Sequence, residues 1–269
     1  MRLLQISDMH FGTEQEPVVR ALRDMALAQR PDVLVVSGDI TQRAHAAQFK
    51  KAREFCDSLQ VPRMLALPGN HDIPLFNLPA RAVSPYSDYL RWFGPKLEAA
   101  VNLPSLLMIG VNTTRRWRHK NGEVSDRQIA DVASQLRHAS TAQLRVVVVH
   151  QPMHVLRKAD EHDRLRNWRP ALRAWSEAGA DVVIGGHIHL PYVCELTALA
   201  GGLARQMWCV QAGTAVSSRT RAEAPNSVNL LHYPPRPNAI ECQVERWDYN
   251  AVAGVFRCVM VTDLWLQRP

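Results

Sequence analysis

The chain contains the run Asp32-Val33-Leu34-Val35-Val36-Ser37, which is followed directly by Gly38 and Asp39. Pro31 precedes the run and ends a helical pattern. A short, uninterrupted apolar run of this kind is typical of a strand that is buried on both faces. Such strands occur mostly in parallel sheets that are covered by helices, so this stretch predicts an α/β fold.

Strands and helices alternate around this run over about the first two-thirds of the chain. Apolar runs predict further strands at residues 3–6, 63–67, 106–111, 144–149 and 181–184. Helices are predicted at about 18–29, 45–59, 85–93 and 125–136. Ser125 is a suitable N-cap for the last of these helices, with Gln128 three residues later.

The pattern changes after about residue 190. Helical periodicity ends, and strand-like runs occupy residues 206–211, 227–232, 239–248 and 256–266. No flexible linker and no internal repeat separates the two parts. We therefore expect one domain over residues 1–269, in which two sheets pack face to face with helices outside. In this interpretation a core at 1–190 carries the functional site, and a β-rich part at 191–269 completes the second sheet.

The composition is that of an ordinary globular protein, with 46% apolar and 21% charged residues. Five cysteines without a Cys-x-x-Cys pair favour a reducing compartment over a disulfide framework. The chain starts with an apolar, strand-like run and contains no apolar stretch of transmembrane length. We therefore expect a cytoplasmic protein without a signal peptide or a membrane span. The formal charge of +7 weakly favours an anionic partner.

Side chains that can bind metals follow the carboxyl ends of the predicted strands. In chain order they are Asp8, His10, Asp39, Asn70, His150, His187 and His189. In α/β sheets the crevice beyond the carboxyl ends of the strands is where ligands bind, so these loops can converge on one place. Each pair taken alone is a common feature of loops, but their ordered succession predicts a metal site.

The types of ligand favour a pair of transition-metal ions. Two carboxylates, four imidazoles and one amide oxygen, without a thiolate, suit Mn, Fe or Zn. Asp39 is the natural bridge, because one carboxylate can give an oxygen to each ion. Two ions roughly 3.5–4 Å apart lower the pKa of a shared water and clamp the attacking and leaving oxygens in a displacement at phosphorus.

Five short segments resemble the signature blocks of the calcineurin-like metallophosphoesterase superfamily. They are Asp8-Met9-His10, Gly38-Asp39, Gly69-Asn70-His71-Asp72, His150 and Gly186-His187-Ile188-His189. The resemblance implies a four-layer αββα sandwich, in which two mixed β-sheets are flanked by helices. It also implies two divalent or trivalent metal ions. The first ion would be held by Asp8, His10, Asp39 and His189, and the second by Asp39, Asn70, His150 and His187.

The same resemblance implies catalytic roles for Asp39 and His71. A hydroxide that bridges the two ions, next to Asp39, would act as the nucleophile. His71 would contact the phosphoryl oxygen or protonate the leaving group.

Differences within the blocks indicate the substrate. The segment after Gly38-Asp39 lacks the second aspartate of the Ser/Thr protein phosphatases, and Asp72 stands where those enzymes have Glu. A protein phosphatase is therefore disfavoured. The blocks are similar instead to those of bacterial class III cyclic nucleotide phosphodiesterases and glycerophosphodiesterases. We expect hydrolysis of a small phosphodiester, with a 3′,5′-cyclic nucleotide as the favoured substrate.

Several alternatives stay open. Glycerophosphodiester hydrolases, UDP-diacylglucosamine pyrophosphatases and DNA exonucleases share these blocks. The nucleases add a DNA-capping domain, whereas only about 80 residues follow His189, so nucleic acid is the less favoured partner. A protein-interaction scaffold is the non-enzymatic alternative, although scaffolds of this superfamily typically lack ligands that are all present here. The apolar C-terminal strand could pair across a homodimer or close the second sheet.

Five further residues are candidates for contacts with the substrate: Arg43, His45, Asn112, Arg115 and His154. Arg43 and His45 follow the Asp39 loop, and Asn112 and Arg115 follow a strand that ends at the same edge. His154 lies four residues after His150. Exposed loop positions explain these side chains as well as a substrate contact does.

Overall fold

The computed structural model describes residues 1–118, 120–221, 224–234, 236 and 239–268. Its strands are β1 (Arg2–Ile6), β2 (Val33–Ser37), β3 (Arg63–Leu67), β4 (Ala100–Leu103), β5 (Leu106–Gly110), β6 (Leu144–Val148), β7 (Val182–Gly185), β8 (Tyr192–Glu195), β9 (Trp208–Gln211), β10 (Ser227–His232), β11 (Glu241–Asn250) and β12 (Val255–Trp265). Its α-helices are α1 (Glu16–Gln29), α2 (Ala46–Ser58), α3 (Leu78–Val83), α4 (Ser87–Phe93), α5 (Asp126–Arg137) and α6 (Trp168–Ala178). Short 3₁₀ helices cover Asn70–Asp72, Lys158–Asp163 and Leu199–Gly201.

The strands form two six-stranded sheets. The first has the order β12-β11-β10-β1-β2-β3, in which β1, β2 and β3 are parallel and the other pairs are antiparallel. The second has the order β4-β5-β6-β7-β9-β8, with antiparallel strands only at its edges. Two mixed sheets flanked by helices confirm the predicted fold class.

Side chains alternate between the two faces of each strand, and in the central strands both faces are buried. In β1, Leu3 belongs to the apolar core between the sheets, whereas Leu4 packs in a core that includes residues of α1 and α2. A third core joins β6 and β7 to α5 and α6, with Trp175 completely buried. Full burial of one large aliphatic side chain contributes about 1.5–3 kcal/mol. Because the central strands are buried on both faces, their sequences are mostly apolar, and β2 begins with four apolar residues in a row.

The sequence prediction of which sheet contains the strands after residue 190 was wrong. The sequence assigned residues 191–269 to the second sheet, but only β8 and β9 join it. Instead, β10 pairs with β1, with Arg2 opposite His232, and β11 and β12 follow as antiparallel neighbours in the first sheet. The backbone N–H and C=O groups of an apolar strand can form hydrogen bonds with either sheet edge, and the strand's own sequence does not specify which edge it pairs with.

The helices differ from the sequence prediction in two places. The single helix expected at 85–93 is preceded by a separate one, α3, and α6 was not predicted. Pro170 lies in the first turn of α6, where the missing N–H has no helical partner to lose. The predicted capping box of α5 is present, with Ser125 and Gln128 bonded reciprocally. Within the described residues, no helix has the length and apolar character that crossing a membrane needs.

Candidate metal centre

Loops after β1, β2, β3, β6 and β7 bring the predicted ligands together in two groups. The first consists of Asp8, His10, Asp39 and His189, and the second contains Asp39, His150 and His187. In each group the potential ligand atoms lie within 4.8 Å of one another. Asn70 joins the second group, because its Oδ1 lies 3.2 Å from Nε2 of His150. The two groups share Asp39.

The carboxylate of Asp39 faces both groups. Its Oδ2 lies 3.7 Å from Nε2 of His10, and its Oδ1 lies 3.3 Å from Nε2 of His150. The Oδ1 atom also accepts a hydrogen bond of 2.8 Å from the backbone N–H of His71. The two oxygens of Asp39 thus face different ligand groups, an arrangement that would allow one carboxylate to serve two metal ions.

Hydrogen bonds orient the imidazoles of both groups. Nδ1 of His150 donates to the carbonyl oxygen of Ser37 at 2.8 Å, which directs Nε2 toward Asp39 and Asn70. Nδ1 of His189 donates to the carbonyl oxygen of Arg219, and its Nε2 lies 3.1 Å from Nε2 of His10. Ring nitrogens held in this way are ready to accept a cation.

His187 has a buried nitrogen without a partner. Its Nδ1 makes no hydrogen bond to any described residue, while its Nε2 lies 3.5 Å from Oδ1 of Asp163. A buried polar atom without a partner is costly, and a metal ion next to His150 and Asp39 would satisfy it. Together with the buried carboxylates of Asp8 and Asp39, the nitrogen and oxygen donors present fit a pair of Mn, Fe or Zn ions.

The charges of the groups depend on one another. Burial favours the neutral carboxyl of Asp8, but the nearby histidines, His189 foremost, together outweigh burial and hold the pKa of Asp8 at about 2. In Asp39, burial is likewise outweighed by several histidines together, His150 foremost, and the pKa lies well below the usual range. Burial lowers the pKa of His10 to about 3, so its ring is neutral. In His150, burial lowers the pKa, but the nearby carboxylates, Asp39 foremost, together with the carbonyl oxygen of Ser37 raise it to about 9.

Much of the centre is built on left-handed backbone. Positive φ angles occur at Asp8 (52°), His10 (44°), Asp39 (49°), His187 (78°) and His189 (56°). This conformation costs a residue with a Cβ atom roughly 1–2 kcal/mol. Such strain is typical of functional sites, where the surrounding structure enforces it. Here the loops are tied to one another, since the backbone N–H of Asp8 donates to Gly38 and that of His10 to Asp39.

His71 lies beside the first group. The centroid of its ring is 4.8 Å from that of His10. Its Nδ1 lies 3.1 Å from the carbonyl oxygen of Gln42 and therefore carries a proton. Its Nε2 lies 3.2 Å from Nη1 of Arg219. His71, the predicted proton donor, thus lies next to the first ligand group. Its Nδ1 faces the carbonyl oxygen of Gln42, and its Nε2 faces Arg219.

Sequence reasoning missed two residues that contact the centre, Asp163 and Arg219. Asp163 ends a 3₁₀ helix that follows β6, and Arg219 lies in the loop between β9 and β10. Neither residue directly follows a predicted strand or belongs to a recognisable block. No local signal could have found them, because they reach the centre only through the fold.

Of the five candidates for substrate contact, the two histidines, His45 and His154, belong to neither ligand group. Arg115 donates to the carbonyl oxygens of Asn112 and Thr114 and to Gln128, and Asn112 accepts from Thr114. His154 is partly buried, and burial lowers its pKa. Arg43 and His45 are exposed.

A model of the calcineurin-like phosphoesterase family matches residues 1–191, well over half of the chain. The chain belongs to the calcineurin-like phosphoesterase family. The match includes every predicted metal ligand, and a dinuclear metal site is a property of this family.

Known proteins resemble this chain at low identity. Glycerophosphodiester phosphodiesterase GpdQ from Enterobacter lignolyticus (strain SCF1) is 26% identical over 171 residues, which cover 57% of this chain and 58% of that protein, less than two-thirds of its length. A dimetal phosphatase from Danio rerio superimposes with a TM-score of 0.66 at 14% identity, and covers 99% of each chain. A purple acid phosphatase from yellow lupin has a TM-score of 0.69 at 11% identity, and the match covers 98% of this chain and 53% of that one. The two structures show a shared fold.

Proposed function

We propose that this protein is a dinuclear metal-dependent phosphodiesterase that hydrolyses a small phosphodiester, with a 3′,5′-cyclic nucleotide as the favoured substrate. The observation that carries the proposal is the position of Asp39, whose two oxygens face separate groups of histidines. The likeness to GpdQ, a glycerophosphodiester phosphodiesterase by name, supports a diester substrate.

The proposed ions would be held by residues on both sheets. Asp8, His10, Asp39 and His189 would hold the first, and Asp39, Asn70, His150 and His187 the second. When bound, such a pair lowers the pKa of a water molecule and stabilises the charge that develops at phosphorus. The carbonyl oxygens of Ser37 and Arg219 and the carboxylate of Asp163 orient the histidines and so keep the ligand geometry.

In this proposal His71 donates a proton to the leaving group. Its Nδ1–H is held by the carbonyl oxygen of Gln42, so the ring cannot turn freely and Nε2 stays directed toward the reaction. Nε2 accepts from Arg219 in this structure, so a proton carried on Nε2 would pass to the departing oxygen only when the Arg219 N–H turns to the substrate. General acid catalysis of this kind contributes typically 10²–10⁴-fold to the rate.

A cavity beside the His71 loop could receive the leaving group. Its volume is about 720 Å³, and it opens between the segments that follow Gln42 and Ile73. Arg43, His45, Phe76 and Asp88 line it, and the guanidinium of Arg43 lies 5.4 Å from the centroid of the Phe76 ring. We propose that Arg43 and His45 contact the substrate here. Contacts by Asn112, Arg115 and His154 stay predictions.

A substrate panel tests the proposal. Protein loaded with Mn²⁺ is compared with EDTA-treated protein on cyclic AMP, a glycerophosphodiester, UDP-diacylglucosamine, single-stranded DNA and bis(p-nitrophenyl) phosphate. We expect metal-dependent turnover of the small diesters, with cyclic AMP fastest. Preference for a different member of the panel would replace cyclic AMP by that substrate class. The absence of metal-dependent turnover on every member would refute the enzyme and favour a protein-interaction scaffold.

The cytoplasmic location and the homodimer stay predictions. The strand proposed for dimer contact, β12, is the edge of the first sheet, and Val259, Met260 and Val261 are each at least half exposed. A register shift lies beside these residues, since Arg246 pairs with Met260 and Trp247 with Cys258. Bulges of this kind weaken the pairing of edge strands with another chain.

A further inference from the structure

Arg219 reaches the centre from outside the part of the chain that the family model matches. It lies in the loop between β9 and β10, whereas the match ends at residue 191. Its Nη1 lies 2.9 Å from Oε1 of Gln42, 3.2 Å from Nε2 of His71 and 3.4 Å from Nδ1 of His10. The guanidinium therefore sits over the edge of the first ligand group, beside the proposed proton donor.

The loop holds the Arg219 backbone independently of its side chain. The backbone N–H of Ser218 donates to Thr13, and that of Arg219 donates to Oγ of Ser217 at 3.2 Å. The carbonyl oxygen of Arg219 accepts from Oγ1 of Thr214 at 3.0 Å and from the ring of His189. A substitution at this position leaves these backbone contacts in place, so the role of the guanidinium can be tested apart from the orientation of His189.

The partners of the guanidinium do not balance its charge. Among the described residues, no carboxylate lies within ion-pair distance of Arg219, and its Nε and Nη2 atoms make no hydrogen bond. His10 cannot accept from it once Nε2 of that ring serves as a ligand, because the proton then resides on Nδ1. A cation held beside a two-metal centre is repelled by the ions unless an anion lies between them.

We propose that Arg219 binds the phosphoryl oxygens of the substrate. Guanidinium groups present paired N–H donors that match the spacing of phosphate oxygens, and the free Nη2 and Nε donors supply such a pair. Gln42 holds Nη1 in place, so the fork is oriented before the substrate binds. This inference rests on the proposed phosphoesterase function and adds to it the group that recognises the phosphate.

The positive charge of Arg219 also predicts an order among ligands. Inorganic phosphate and phosphomonoesters carry more negative charge than a diester, so they gain more from the guanidinium. Loss of Arg219 therefore weakens inhibition by inorganic phosphate more than it raises the KM for a diester.

The test measures binding of inorganic phosphate to Mn²⁺-loaded protein by titration calorimetry, together with metal content and with kcat and KM on bis(p-nitrophenyl) phosphate. Arg219→Gln should weaken phosphate binding roughly 10- to 100-fold with two metals retained. Arg219→Lys should recover part of the loss, because Lys keeps the charge without the fork. Arg20→Gln, which removes an equal charge from the surface of α1, is the matched control and should bind phosphate like the unaltered protein.

Unchanged phosphate affinity in Arg219→Gln would overturn the inference, and so would loss of the metals in both Arg219 variants, since the side chain would then support only the ligand geometry. The proposed function fails separately. If no diester is hydrolysed but phosphate still binds in an Arg219-dependent way, the phosphate role of Arg219 stands and the phosphodiesterase proposal falls.

Discussion

Asp72 accepts two hydrogen bonds from Thr41, one from its backbone N–H and one from its hydroxyl group, both 2.8 Å long. The other oxygen of Asp72 accepts from the backbone N–H groups of Ile40 and Gly69. One buried carboxylate thus joins the loop that carries Asp39 to the loop that carries Asn70 and His71. The two loops come from neighbouring strands, and this junction sets their relative position.

We expect Asp72→Asn to destabilise the protein by about 1–3 kcal/mol, because an amide N–H₂ replaces an acceptor and faces donors that it cannot satisfy. Urea unfolding of EDTA-treated protein measures this change. Manganese affinity should fall as well, since the loops lose their junction. Asp57→Asn changes an exposed carboxylate on α2 and serves as the control. An unchanged unfolding midpoint in Asp72→Asn would contradict the role of the junction.

Asp39→Ala should reduce hydrolysis of bis(p-nitrophenyl) phosphate to the level of metal-stripped protein. The variant removes the oxygen shared by both ligand groups, so both ions should bind weakly. Metal analysis and circular dichroism check that ions are lost while the fold is kept. Activity that survives in this variant, or in metal-stripped protein, would falsify the dinuclear mechanism.

His71→Ala should lower kcat roughly 10²–10⁴-fold while both metals are retained, because the variant removes a proton donor and no ligand. The measurements are steady-state kinetics and metal content. His138→Ala, an exposed histidine at the end of α5, is the control. If His71→Ala loses its metals, the role of His71 is to hold the centre.

Metal binding should depend on pH through His150. Before an ion binds, the adjacent Asp39 raises the pKa of His150 to about 9, so the ring is protonated at pH 7 and must lose its proton to become a ligand. The apparent affinity for Mn²⁺ should rise about tenfold per pH unit below pH 9 and level off above it.

The raised pKa of His150 also makes the stability of the metal-free protein depend on pH. Because the folded pKa of His150 lies above the unfolded value of 6.5, its contribution to the stability of EDTA-treated protein is complete below pH 6.5 and is lost as the pH rises to about 9.

Titration calorimetry of Mn²⁺ binding, in buffers of different ionisation enthalpy, counts the protons that are released when the ions bind. A count of zero at pH 7.5 would contradict the assignment of His150.

Gly38→Ala should cost about 2–5 kcal/mol and weaken the second ion site. A Cβ atom at this position would meet the ring of His150, and the φ of +99° is unfavourable for any residue with a side chain. Gly254→Ala separates these causes, because Gly254 has a φ of +67° but no atom within 4 Å of the place that a Cβ atom would occupy. The control should lose only about 1–2 kcal/mol in thermal unfolding. Equal losses in the two variants would show that contact with His150 does not matter.

The sequence predicted what local patterns can encode. β2 and β3 were found because strands buried on both faces have uninterrupted apolar sequences. The candidate ligands stood out because each follows a strand directly, where the chain must turn at the edge of the sheet. The capping box of α5 was found because Ser125 and Gln128 act within one helical turn.

Other features depended on contacts that no local pattern records. The apolar residues of β10 indicate that the strand is buried, but they do not indicate whether it pairs with β1 or with a strand of the second sheet. The residue type does not predict the left-handed backbone at Asp8 or His189, since neither is a glycine. The surrounding hydrogen bonds impose this conformation.

By itself, the sequence determined the fold class, and it supplied the set of candidate metal ligands and their order along the chain. Only the tertiary structure decided which sheet receives the last three strands, that the two oxygens of Asp39 face different histidine groups, and that Arg219 stands beside His71. The physical reason is distance along the chain. Propensity and periodicity report the burial of a residue among its neighbours, whereas Arg219 and His71 are 148 positions apart and meet only after both sheets have formed.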